Sequence, residues 1–398
     1  MSSVARSKPA QSEPLPIPLA IPDLSGNEAR YLQECIETGF VSSVGPFVGR
    51  FEKMLADAAG TPGAVATSAG TTALHAALVA LGVRHNDLVI LPSYTFIASA
   101  NAISHSGAEP WLFDINRETW TIDATLVEAA LRSECRATDR GMVHKSTGKR
   151  VAAMMPVFAL GLPADMAQIV DLANRFALPL LIDAAAALGS LYEGKKIGEF
   201  GTLAVVSFNG NKTVTAGGGG AILGNDEQLL AQVRHLTTTA RRSDAYDHDM
   251  VGFNYRMTNI AAAVGCAQLE RLDYFLARKT AIAQRYREEL ADLPGIGFFP
   301  ERAGRKSAFW LSGITLQPPA PSLADLAPRL TAARIACRSF WKPMHLQPPY
   351  ADALRSEMRV CDNLWERVLP LPCSTALTEA DQARVIGAVR TALAALSR

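Results

Sequence analysis

From about residue 63 to residue 225 the chain alternates short, fully apolar runs with helical patterns, and this limits its fold more than any other feature. GAVATS (63–68), LVILPS (88–93), EPWLFDI (109–115), VAAMMPVF (151–158), LPLLID (178–183), TLAVVSF (202–208) and GAILGN (220–225) read as strands. TTALHAALVALG (71–82) and ADMAQIVDLANRFA (164–177) are the clearest helices between them. Strands that are apolar on both sides need cover on both faces, so the pattern predicts an α/β fold with a mostly parallel sheet between helices. Sheets of that kind bind ligands beyond the carboxyl ends of their strands.

The flanks read differently. The first 23 residues carry five prolines and no continuous apolar core, so they read as a flexible tail and not as a signal peptide. Ser25 and Glu28 have the spacing of a capping box, opening a helix that ends at Gly39. Pro46 suits the first turn of a second helix with Phe47, Phe51, Met54 and Leu55 on one face. A long, kinked helix is expected from about Thr258 to Leu290. A strand pattern at 309–316 and a last helix opened by Thr378 and Asp381 follow it. The expected organisation is a tail at 1–23, a large domain at 24–270 and a smaller α+β domain at 271–398. The polar stretch Arg132–Arg150 reads as a connection or small insertion with a solvated face.

Composition narrows the function. Lys plus Arg is 39 and Asp plus Glu is 38 in 398 residues, so a strongly basic nucleic-acid binder is excluded as the default. No apolar run is long enough to span a membrane. The six cysteines are scattered without a CxxC pair, which reads as buried thiols in a reducing compartment, with no metal site and a cytoplasmic address.

Two strand ends carry the chemistry. In LLIDAAAALGS (180–190), apolar residues deliver Asp183 to a strand end, where a carboxylate is either a helix cap or a functional acid. In AVVSFNGNKTVTAGGGGAIL (204–223), Ser207 ends the next strand, and Lys212 lies between it and four glycines. Neighbouring strand ends would thus bring an acid and an amine, 29 residues apart in sequence, to one pocket. Pyridoxal 5′-phosphate (PLP) needs both: an amine for a Schiff base, and an acid that keeps its ring nitrogen protonated. It also needs a phosphate cradle, and TSAGTTALHAAL (67–78) offers a small glycine-containing turn that opens a helix at Gly70, Thr71 and Thr72. Gly210-Asn211-Lys212-Thr213 is not a phosphate-binding loop of the GxxxxGKT kind, because Val206 and Asn211 stand where glycines are required.

Together these segments resemble the DegT/StrS-like sugar-nucleotide aminotransferases of PLP fold type I. The resemblance rests on SAGTTALHAAL, LPSYTFIASANAI, PVFALGLPADM, LLIDAAAALGS, SFNGNKTVTAGGGG, GFNYRMTNIAAAVGCAQLERLD and KPMHLQPPY in that order. It implies a large domain with a seven-stranded, mostly parallel sheet. Lys212 would be the Schiff-base lysine and proton shuttle, and Asp183 the partner of the ring nitrogen. Gly70, Thr71, Thr72 and Ser207 would hold the phosphate, and Phe96 would stack on the ring. Asn254 would reach the cofactor of a partner subunit in a homodimer. Asn211, Arg256 and His345 are the candidate substrate contacts, Arg256 for the carboxylate of L-glutamate. The form SFNGNK and the stretch RHLTTTAR point to the 4-aminotransferases of the bacillosamine and legionaminic acid pathways. They imply transfer from glutamate to a UDP-linked 2-acetamido-4-keto sugar in surface-polysaccharide or lipopolysaccharide biosynthesis. Ala186 departs from the pattern, since relatives carry Gln, Glu or His there. The family's dehydratase branch replaces the lysine with histidine, and other members bind PLP or a sugar nucleotide without turnover. Lys212 favours transamination over dehydration, and release of 2-oxoglutarate from glutamate and a ketosugar would separate an enzyme from a non-catalytic binder.

Overall fold

The structure is a computed structural model describing residues 15–243 and 245–396. Seven strands form the central sheet: β1 (Gly63–Thr67), β2 (Leu88–Pro92), β3 (Glu109–Phe113), β4 (Val151–Met154), β5 (Leu181–Asp183), β6 (Leu203–Ser207) and β7 (Gly220–Gly224). Backbone pairing gives the order β1-β7-β6-β5, and separately β4-β2-β3. The halves meet between β4 and β5, through parallel bridges Met154–Leu180 and Val157–Asp183 and the bond from Asp183 N–H to the Pro156 carbonyl (2.9 Å). Pro156 and Pro179 lack an N–H, which thins the ladder there without opening it. Only β7 runs antiparallel to its neighbours, β1 and β6. The expected mostly parallel seven-stranded sheet is therefore present.

All residues of β2, β4, β5 and β7 are buried, as strands covered on both faces must be. The helix Gly70–Ala80 is buried along most of its length, and the helix Pro46–Ala59 covers the opposite layer with Phe47, Val48, Phe51 and Leu55. Met54 lies at the edge of that face, half-buried.

Several local expectations are corrected. The first helix begins at Glu28 with no side-chain cap: Ser25 bonds Asp23, and Glu28 instead accepts from Gln268 (2.6 Å). The long helix is broken in two, Asn259–Leu269 and Leu272–Leu290. The polar insertion contains a hairpin, Cys135–Thr138 with Gly141–His144. The tail expected at 1–23 lies outside the described residues up to position 14, but from Leu15 it is not free. Ile17 is buried and pairs with Ile335, and the Leu19 carbonyl accepts from the Cys373 N–H (2.8 Å). Burying Ile17 gives that segment an apolar reason to dock.

After the helix Leu272–Leu290, an antiparallel sheet of Ile296–Phe298, Ser312–Leu316 and Val368–Leu371 packs with the helices Leu323–Ala332 and Glu379–Leu396. Thr378 and Asp381 cap the last helix reciprocally, as expected. The six cysteines are free thiols. No described helix is long and apolar enough to cross a membrane.

Candidate active site

A cavity of about 240 Å³ opens at the carboxyl ends of β1, β5 and β6, lined among others by Ser68, Gly70, Thr71, Phe96, Ser99, Asp183, Ala186, Ser207, Asn211, Lys212 and Trp310. Two larger grooves, about 470 Å³ each, lie elsewhere, and neither brings a lysine to a buried carboxylate.

Asp183 is 4% exposed at the tip of β5. Its Oδ2 accepts from the Ser99 hydroxyl (2.7 Å) and its Oδ1 from the Ala185 N–H (3.1 Å). Ser99 has one proton, so its contact with Thr95 (2.8 Å) is a bond donated by Thr95, completing a relay from Thr95 through Ser99 to Asp183. Burial raises the Asp183 pKa above the usual carboxylate range, while Ser99, Ala185 and the charge of Lys212 oppose that rise. Two donors leave lone pairs free on a carboxylate, so Asp183 can still accept a cationic N–H.

Lys212 follows β6 on a tight loop, closed by the bonds Lys212 N–H to Asn209 carbonyl (2.9 Å) and Phe208 N–H to Gly219 carbonyl (2.9 Å). The residue is half-buried, but its ammonium is the shielded end, and desolvation lowers its pKa to about 8 against the pull of Asp183. Its Nζ sits 3.8 Å from the centre of the Trp310 ring. The Trp310 indole N–H donates to the Asn211 carbonyl (2.8 Å), so a residue from the C-terminal part of the chain fixes the lysine loop.

The helix Gly70–Ala80 opens onto the cavity, and its first-turn N–H groups lack helical acceptors. Thr72 does not line the cavity. Its hydroxyl accepts from the Ala69 N–H (3.1 Å) and donates to the Ala69 carbonyl (2.8 Å), shaping the turn. Two glycines permit the close approach. A Cβ at Gly220 would lie 2.6 Å from backbone atoms of Ala69 and Gly70, and one at Gly70 would lie 3.0 Å from Ser207. Phe96 presents an aromatic ring at the cavity mouth, 56% exposed.

The buried acid, the desolvated amine, the helix N-terminus backed by glycine and the open aromatic face match the four needs of PLP: ring nitrogen, aldehyde carbon, phosphate and ring. The cavity therefore fits the cofactor. Ala186 lines the wall without a polar group, so its side chain offers a cofactor no hydrogen bond there.

The other candidates scatter. His345 is buried away from the cavity, with Nδ1 on Ser93 (2.7 Å) and Nε2 on Asp362 (2.8 Å). It braces the loop that carries Phe96. Arg256 is half-buried beside Thr67, outside the lining. Asn254 is exposed and likewise does not line its own chain's cavity. Sequence reasoning missed Thr95, Ser99, Trp310, Trp341 and Arg338. Thr95 and Ser99 stand four apart in TFIAS, and their hydroxyls meet across the start of the helix Ile97–His105. Nothing local marks the last three, which arrive from far along the chain.

A profile of the DegT/DnrJ/EryC1/StrS aminotransferase family matches residues 22–390. The GDP-perosamine synthase of Caulobacter vibrioides is 41% identical over 94% of this chain and 97% of its own. EpsN of Bacillus subtilis, named as a pyridoxal phosphate-dependent aminotransferase, is 38% identical over 92% of this chain and 93% of its own. The crystal structure of DesV from S. venezuelae, in complex with a ketimine intermediate, superposes with a TM-score of 0.84. It is 31% identical and covers 95% of this chain and 98% of its own. The architecture is that of PLP fold type I, as expected. With its acid and amine gathered in one cavity and the family profile spanning nearly its whole length, this chain belongs to the DegT/DnrJ/EryC1/StrS aminotransferase family and is a sugar aminotransferase.

Proposed function

We propose that the protein binds PLP and moves an amino group from L-glutamate to the keto carbon of a nucleotide-linked 4-keto-6-deoxy sugar, working as a homodimer. The observation that carries the reading is the meeting of Lys212 and Asp183 in one cavity. The residues that would hold the cofactor are Lys212 at its aldehyde carbon and Asp183 at its ring nitrogen. Phe96 would cover a face, and Gly70, Thr71 and Ser207 would take its phosphate. When bound, PLP supplies an electron sink for the charge left on a carbon that loses a proton.

The chain's own groups do the rest. Lys212, with a pKa near 8, holds a share of neutral amine at neutral pH, so its Nζ can take up a proton from the substrate carbon and release it again within the cavity. The buried carboxylate of Asp183, held by Ser99, fixes positive charge at the far end of the cavity. The wall formed by Val157, Phe158 and Ala186 keeps that end apolar.

The motif forms SFNGNK and RHLTTTAR favour a UDP-linked 2-acetamido-4-keto sugar as acceptor. A GDP-linked 4-keto-6-deoxy sugar is the second reading, favoured by the 41% identity to the GDP-perosamine synthase of Caulobacter vibrioides. The test is to incubate PLP-loaded protein with L-glutamate and a panel of UDP-, GDP- and dTDP-linked 4-ketosugars, following 2-oxoglutarate. Turnover with one panel member, abolished in Lys212→Ala, is expected. No 2-oxoglutarate from any member would overturn the proposal.

A further inference from the structure

Of the charged side chains lining the cavity, Asp183 and Lys212 are committed to the cofactor, and one remains: Arg338. Its backbone is held from both sides. Ile335 is buried, and its flanks are tied to the N-terminal segment by the bonds Ile17 N–H to Arg334 carbonyl and Ala336 N–H to Ile17 carbonyl, both 2.9 Å. Beyond Arg338, the Phe340 and Trp341 rings stack at 4.3 Å and pack against Trp310. Arg338 is exposed as a residue. Arginines elsewhere in the fold are engaged: Arg305 bonds Asp165 (3.0 Å) and Arg271 bonds Asp23 (2.9 Å). Among the described residues Arg338 has no such partner. Together with Asn211 it also lines a neighbouring groove of about 260 Å³ formed with Leu19, Ala20, Leu311 and Cys337, so it stands where the catalytic cavity passes into a second space.

A fixed backbone, an unpaired guanidinium and a place at the cavity's outer wall describe a site for an anion that comes and goes. Guanidinium pairs with carboxylate and phosphate alike through two parallel N–H bonds. We propose that Arg338 anchors the anionic part of the substrate, the carboxylate of the amino donor or the phosphate of the nucleotide sugar. The proposal deepens the aminotransferase reading and rests on it for the identity of the two substrates.

The test uses PLP-loaded wild-type protein, Arg338→Ala and Arg338→Lys. KM is measured for L-glutamate and for the accepted ketosugar, each at saturation of the other. Calorimetry measures the binding of 2-oxoglutarate, UDP and GDP. Loss of a charge-assisted pair should weaken the anchored anion roughly ten- to hundredfold in Arg338→Ala, less in Arg338→Lys, with the cofactor spectrum unchanged. Weakening confined to glutamate and 2-oxoglutarate assigns the carboxylate. Weakening confined to the ketosugar and a nucleoside diphosphate assigns the phosphate, and weakening of both classes assigns one subsite used in turn. Changes within twofold for every ligand, or loss of the bound cofactor, overturn the proposal. If wild-type protein releases no 2-oxoglutarate, the aminotransferase reading fails, while the calorimetry of UDP and GDP still tests Arg338.

Discussion

An exposed lysine titrates near 10.4, where almost none of it is a free amine at neutral pH. Lys212 is brought to about 8 because its ammonium is desolvated, and the nearby Asp183 carboxylate keeps it from falling further. In cofactor-free protein, the rate of reductive trapping of PLP at Lys212 should therefore rise with pH to a midpoint near 8. Peptide mapping after cyanoborohydride treatment checks this, and a midpoint near 10 would sink it. The same charge arithmetic makes a signed prediction for Asp183→Asn. Removing the negative charge takes away the one influence that raises the lysine, so the trapping midpoint should move below that of the wild type. Turnover should move the opposite way from reactivity. Losing one preorganised electrostatic contact to charge that develops in the reaction costs about 3–4 kcal/mol, so the rate of 2-oxoglutarate formation should fall by roughly two to three orders of magnitude. A variant with near wild-type rate would remove Asp183 from its role.

At the scale of elements, the site depends on three backbone ends meeting: the tip of β6, the start of β7 and the first turn of the helix Gly70–Ala80. Gly220 is where the contact is tightest, because a Cβ there would press on the Ala69 carbonyl carbon and oxygen and the Gly70 nitrogen. None of these is the end of a flexible side chain, so the turn itself must shift. Gly220→Ala should cost about 1–3 kcal/mol in urea unfolding and loosen PLP binding measurably in equilibrium dialysis, since the same N–H groups would face the phosphate in the proposed site. Unchanged affinity would separate the turn from cofactor binding. These elements were also the legible ones. Fully apolar runs ending in Asp183 and Ser207 announced strands and their ligand end, because burial on both faces leaves no other pattern. What was not legible came from distant partners. Ser25 matched a capping box but was drawn to Asp23, while Glu28 was taken by Gln268 from the helix Asn259–Leu269. His345 looked like a ligand by its motif but is saturated by Ser93 and Asp362, contacts that no local spacing encodes.

At the scale of the whole molecule, the cavity is supplied by one chain with its acid, amine, aromatic ring and the turn that opens the helix Gly70–Ala80, yet Asn254 stands exposed outside it. Its segment lies against the end of β1 that leads into the helix Gly70–Ala80, with the Ser68 N–H bonded to the Tyr255 carbonyl (2.7 Å) and Arg256 bridged to Thr67. An exposed apolar residue lies three positions before Asn254: Val251 is 86% exposed. An exposed apolar side chain near an exposed amide suits a second copy of the chain, whose cofactor Asn254 would reach. If each site is built from two chains, Lys212→Ala and Asn254→Ala damage different halves of it. Each homodimer should be impaired, Lys212→Ala completely. A mixed dimer should contain one doubly damaged site and one intact site. After co-refolding in equal amounts, half the dimers would be mixed, so activity should recover to about a quarter of wild type per site. Recovery no greater than that of Asn254→Ala alone, or an active monomer in sedimentation, would mean that the cavity works with a single chain and that the exposed face serves something else.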